Sequence, residues 1–279
     1  MTNPWLERRV LNYAHQGGAK EGPSSTMHAM RAAVDAGAKA LELDVHMTSD
    51  GVLVVCHDST VDRTTEGTGT IASLTLDEVQ ALDNAYWWVP GSVVDHESPD
   101  EAYVHRGKAA EDTAFRIPTI VEVLEAFPST FLNFDIKQSA PVVPPYEAKL
   151  AQVLMEHGRI DDVIVASFDD NSTDEFARHA PQIATSYGTL ATADFYRAVQ
   201  AGEDPPHTEH AALQVPHRFG DTVVVDERFV EAAHAHGVAV HVWTIDDEDE
   251  MEELLDLGVD GIMTDRPAAL DAVLRRRTT

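Results

Sequence analysis

LELDVHMTSDGVLVVCHD, residues 41–58, sets two carboxylates inside what otherwise reads as a buried strand. Side chains alternate along a strand, so Leu41, Leu43 and Val45 share one face while Glu42 and Asp44 share the other, about 7 Å apart. Two such carboxylates repel each other and lose hydration, and they require a cation or hydrogen-bond donors in return. The connecting TSDG is too short for a parallel crossover. The run VLVVCH (52–57) must therefore return as a hairpin. A turn centred on Ser49 and Asp50 would set Glu42 opposite His57 and Asp44 opposite Val55.

Outward from this stretch the chain alternates short β-rich runs with helical ones. Strands are predicted at 10–14, 39–46, 130–136, 163–167, 183–187, 212–215, 239–243 and 261–264. Helical periodicity separates them, and Gly158, Gly202, Gly237 and Gly258 fall where helix C-caps belong. Ser24 or Ser25 can cap the helix that includes Met27, Met30, Ala33 and Val34. Eight βα units point to an α/β fold, a (β/α)₈ TIM barrel with a β-hairpin extension after strand 2. Residues 84–117 break the pattern with an irregular aromatic insertion, so residues 1–279 are read as one domain carrying that excursion.

The bulk composition narrows the function. A formal net charge of −28 leaves no basic stripe for nucleic acid and disfavours electrostatic binding to anionic membranes. No apolar run approaches the roughly 20 residues a membrane helix requires, and the N-terminus lacks a signal-like region, so a cytoplasmic location is expected. The single cysteine, Cys56, alternates with apolar residues and reads as packing.

In a barrel the acidic face of strand 2 looks towards the axis near the strand's C-terminal end, where the active sites of this architecture lie. The device recurs in FLNFDIK, where Asn133, Asp135 and Lys137 share a face. The first strand ends at His15, ahead of Gln16, Gly17 and Gly18. Carboxylate oxygens from Glu42, Asp44 and Asp135 suit Mg²⁺ or Ca²⁺. His15 and His57 can serve as general acid and base, and a cation with Lys137 can hold a phosphate. The chemistry implied is cleavage of a phosphate ester.

The segments AHQGGAKEGPSST, ALELDVHMTSDGVLVVCHDSTVDRTTEGTG, FRIPTIVEVLEAFP, LNFDIK, VHVWTID and GVDGIMTDRP follow one another along nearly the whole chain. In that order they resemble the glycerophosphodiester phosphodiesterase family. The resemblance implies a (β/α)₈ barrel and hydrolysis of a glycerophosphodiester to glycerol 3-phosphate and an alcohol, with a divalent cation. It puts the metal carboxylates on Glu42, Asp44 and Asp135 and the catalytic histidines on His15 and His57. Lys137, Gln16 and Trp243 fall at substrate-binding positions, and Arg63 reads as structural. The chain departs from the family in three places. Gln16 replaces an Arg, which should weaken the grip on phosphate. Ser24-Ser25-Thr26 replaces Glu-Asn-Thr. Asp135 replaces a Glu, an Asp-Ile-Lys arrangement similar to the related sphingomyelinase D type phospholipases.

Two substrate readings follow, a small glycerophosphodiester or a lysophospholipid. For the second, Tyr86, Trp87, Trp88 and Val89 offer an apolar lip, unless they serve only as packing. A catalytically silent barrel that binds phosphorylated ligands is the remaining alternative. In the expected mechanism His57 is the base and His15 the acid.

Overall fold

The protein is described here by a computed structural model that covers residues 3–138 and 140–278. Its strands are β1 (Leu11–His15), β2 (Ala40–Met47), β3 (Leu53–Val55), β4 (Phe131–Ile136), β5 (Val163–Ala166) and β6 (Ala184–Thr185). They continue with β7 (Ala212–Pro216), β8 (Arg218–Phe219), β9 (Thr222–Val223), β10 (Ala239–Trp243) and β11 (Gly261–Thr264). The parallel order β6-β5-β4-β2-β1-β11-β10-β7 curls until a parallel bridge between Ser186 and Ala212 joins its two ends. This is the predicted (β/α)₈ barrel, with helices between the strands.

Alternation sorts the strand residues as the sequence implies. Leu41, Leu43, Val45, Leu132, Phe134 and Ile136 are all buried in the layer between strands and helices. Their neighbours Glu42, Asp44, Asn133 and Asp135 are buried on the opposite, axial side. The predicted cap glycines adopt left-handed backbone. At the first helix, Met27–Asp35, the cap is Thr26, which accepts from the amide of Ala29. Ser24 and Ser25 are buried before it, with Ser25 itself left-handed at φ 55°.

The hairpin after β2 forms, but one residue out of the expected register. Val45 pairs with Val55, His46 with Val54 and Met47 with Leu53, so Asp44 lies across from Cys56 and accepts its amide at 3.0 Å. The turn takes three residues, Ser49 to Gly51, between Thr48 and Val52. Gly51, at φ 80°, supplies the left-handed position that closes a three-residue hairpin loop. A second small hairpin, β8 with β9, extends the loop after β7 and was not foreseen.

Residues 84–117 form turns and short 3-10 helices held by aromatic packing. Indole Nε1 of Trp88 donates to the carbonyl of Ala19 at 2.9 Å, and that of Trp87 to the carbonyl of Thr65 at 2.8 Å. His105 stacks on Trp88, and the Arg106 guanidinium lies 3.6 Å from the Tyr103 ring centre. Among the described residues, no helix is long and apolar enough to cross a membrane.

Candidate active site

The strand registers bring the acidic residues together. β1 sets His15 beside Glu42, while β4 sets Asn133 beside Glu42 and Asp135 beside Asp44. One carboxylate oxygen from each of Glu42, Asp44 and Asp135 lies within 4.8 Å of the others. Lys137 reaches back from the end of β4, its Nζ 2.8 Å from Asp44 Oδ1 and 2.7 Å from Asp135 Oδ2.

One ammonium cannot balance three buried carboxylates. Burial, reinforced by the charge of Asp44, pushes the Glu42 carboxyl up to about 8. Burial also raises Asp135, against the pull of Lys137. Lys137 itself is held above its usual range: burial opposes its charge, but Asp44, Asp135 and Glu42 together outweigh that. The fully buried Asp44 carboxylate is met by Lys137 Nζ at 2.8 Å and by no other side-chain or backbone donor among the described residues. Three hard oxygen donors, under-neutralised and close enough to share one ion, fit a divalent cation.

Both histidines stand at the rim of this cluster, each with a carboxylate behind it. His15 Nδ1 is 2.7 Å from Asp265 Oδ1, and His15 Nε2 is 3.8 Å from Glu42 Oε2. Burial works against a charged ring, yet the hydrogen bond to Asp265 and the charges of Glu42, Asp265 and Asp44 raise His15 to about 9. His57 Nδ1 is 2.7 Å from Asp58 Oδ1, and Arg63 pairs with the other oxygen of Asp58. Burial would raise Asp58, but His57 and Arg63 hold it well below the carboxylate range. The ring centres of His15 and His57 are 6.3 Å apart. A carboxylate on Nδ1 fixes the tautomer and leaves Nε2 to exchange a proton.

These groups open into a cleft of about 730 Å³. Glu42, Asp135, Lys137, His15 and His57 line one end of it. Phe168, Tyr187, Tyr196, Phe219 and Trp243 supply apolar surface to its wall. Trp243 packs edge-on to Phe168 at 5.7 Å, and Lys137 Nζ lies 5.5 Å from the Phe168 ring.

Gln16 is not among the cleft-lining residues. It is buried, left-handed at φ 52°, with its Nε2 3.4 Å from His15 Nε2. No residue of 84–117 is among the cleft-lining residues either, and the indoles of Trp87 and Trp88 are engaged in packing, each donating to a backbone carbonyl. The sequence pointed to Trp243 but not to Asp265, Asp58 or the rest of the aromatic wall. Asp58 was adjacent to His57, and Asp265 stood in the quoted GIMTDRP. Cys56 is buried, and burial raises its thiol to about 12, as a packing residue requires.

The sequence profile of the Glycerophosphoryl diester phosphodiesterase family matches residues 15–269. The chain belongs to this family. A glycerophosphodiester phosphodiesterase of Caldanaerobacter subterraneus subsp. tengcongensis is 32% identical over 274 residues, covering 96% of this chain and 99% of the relative. A lysophospholipase D of Rattus norvegicus is 27% identical over 289 residues, covering 97% of this chain and 87% of the relative. Among solved structures, the glycerophosphoryl diester phosphodiesterase domain of a Mycobacterium tuberculosis protein superposes with a TM-score of 0.77. That match covers 96% of this chain and 99% of the other at 22% identity, which speaks for the shared fold. The barrel is therefore the family's fold carried on a divergent sequence.

Proposed function

We propose that the chain hydrolyses glycerophosphodiesters to glycerol 3-phosphate and an alcohol, using a divalent cation held by Glu42, Asp44 and Asp135. The observation that carries this reading is the convergence of those carboxylates, Lys137 and both histidines on one end of a single cleft. When bound, the cation supplies positive charge to a nonbridging phosphate oxygen. Lys137 adds a second cation at the same place, and Trp243 bounds the substrate from across the cleft. His57 takes the proton from the attacking oxygen as the new P–O bond forms, and His15 protonates the departing alcohol as the old one breaks. This assignment is supported by His15 sitting between two carboxylates, Asp265 and Glu42, that favour its protonated ring. The attacking oxygen belongs to the glycerol 2-hydroxyl, giving a cyclic phosphate that water then opens, or to water directly. Gln16, pressed against His15, acts by holding that ring, in place of the phosphate contact expected of it.

Mg²⁺ and Ca²⁺ both suit an all-oxygen donor set. Release of glycerol 3-phosphate from glycerophosphocholine, abolished by chelator and restored by one of these ions, is the expected result. Unchanged turnover in chelator, or in His15→Ala or His57→Ala, would reject the reading. The apolar wall of the cleft favours a second substrate, a lysophospholipid, whose chain would lie along Phe168, Tyr196 and Phe219.

A further inference from the structure

The most exposed large hydrophobic side chains among the described residues are Phe219 at 77%, Val142 at 76%, Leu190 at 68% and Phe168 at 58%. Each follows a different barrel strand: Val142 after β4, Phe168 after β5, Leu190 after β6 and Phe219 after β7. These four strands are consecutive around the cylinder, with β6 meeting β7 at the Ser186–Ala212 bridge. All four residues therefore belong to segments that leave the C-terminal mouth, on one side of it. Single exposed apolar residues are ordinary, whereas apolar residues gathered along one edge mark a docking surface. Phe168 and Phe219 also line the cleft, so this edge is continuous with the apolar wall that leads to the carboxylates.

We propose that this edge of the mouth docks onto a zwitterionic lipid–water interface, from which a lysophospholipid chain passes into the cleft. The identity of the lipid rests on the second substrate reading above; the docking surface itself does not. Charge selects the kind of interface. A chain with net charge −28 is repelled by an anionic lipid surface. Insertion of apolar side chains remains as the mode of contact.

The test is co-sedimentation with sucrose-loaded vesicles of phosphatidylcholine containing lysophosphatidylcholine, against vesicles of phosphatidylglycerol. The variant is Val142→Ser/Leu190→Ser, since neither residue lines the cleft. Wild-type protein is expected to sediment with the phosphatidylcholine vesicles, and the variant to partition roughly tenfold more weakly. The variant should keep wild-type turnover of soluble glycerophosphocholine and lose the rise in lysophosphatidylcholine turnover that accompanies aggregation of that lipid. Absence of wild-type binding, equal binding by the variant, or preference for phosphatidylglycerol would each overturn the proposal. A wild-type dimer in light scattering that the variant loses would assign the edge to a second copy of the chain and overturn it too. Partition is read without turnover, so vesicle binding in a protein inactive on both diesters would remove the proposed activity and leave the docking surface standing.

Discussion

Two sides of one barrel mouth stand in contrast. On the side of β1, β2, β4 and β11 the inward groups are His15, Glu42, Asp44, Asp135 and, just past the last strand, Asp265. On the side of β5, β6, β7 and β10 the cleft is walled by Ala166, Tyr187 and Trp243, with Gln214 as the axial residue of β7. The strands are alike; what differs is the residue at the axial position and where its partners come from. The polar groups sit within ladders whose register fixes them side by side, as Asp44 is fixed beside Asp135. Much of the apolar wall comes from segments beyond the strands, such as Phe168 and Phe219. Under the proposed function, chemistry would thus be mounted on the strand ladders and substrate shape on the segments beyond them.

The largest expected effect tests the polar side. Asp44→Asn should lower kcat on the order of 10³-fold at saturating cation, since it weakens the charge that balances the ion. A loss of folding without a specific loss of turnover would break the contrast. Asp265→Asn should come next, with kcat down roughly 10²-fold and little change in cation affinity. That variant probes orientation of His15, so equal losses in kcat and in ion binding would move Asp265 into the ligand set. On the apolar side, Trp243→Ala should raise KM for lysophosphatidylcholine roughly tenfold while changing glycerophosphocholine less. Equal effects on both substrates would merge the two sides into one.

A smaller effect concerns stability. His241 is fully buried inside the barrel, its Nδ1 3.4 Å from the Tyr13 hydroxyl, and a Cβ at Gly261 would lie 2.9 Å from its ring. Burial lowers this histidine to about 3. Below about 6.5 the unfolded chain takes up a proton there. The folded ring refuses that proton until about pH 3, so this contribution to stability is lost progressively as pH falls between those values. His241→Gln should flatten that part of the acid limb in urea midpoints measured against pH. An unchanged slope would show that the interior histidine is not what the acid limb reports.

What the sequence made legible follows the same division. Glu42, Asp44 and Asp135 could be read because a carboxylate in step with apolar neighbours has one place to go in a barrel. The hairpin register could not be read to the residue, because Gly51 permits a three-residue turn where a two-residue one also fits the pattern. Asp58 and Asp265 lie just past strand ends, where an acidic residue is ordinarily a turn or cap residue, and only distance to a histidine distinguishes them. The aromatics at 86–88 drew attention by their concentration, yet Thr65, Ala19 and Arg106 account for them as packing. Apart from Trp243, the real apolar wall was spread one residue at a time over loops, a helix and a small hairpin, a distribution that leaves no periodic trace.

The joint between β6 and β7 carries one further consequence. β2 and β4 are zipped over Ala40 to Val45, whereas β6 spans only Ala184–Thr185 and meets β7 through Ala211, Ala212 and Tyr187. The cylinder therefore has a shallow suture, and it lies beneath the greasy half of the opening. Amide exchange at Ala211 and Tyr187 should outrun that along β2. Widening there would let a bulky tail in without disturbing the charged groups across the barrel.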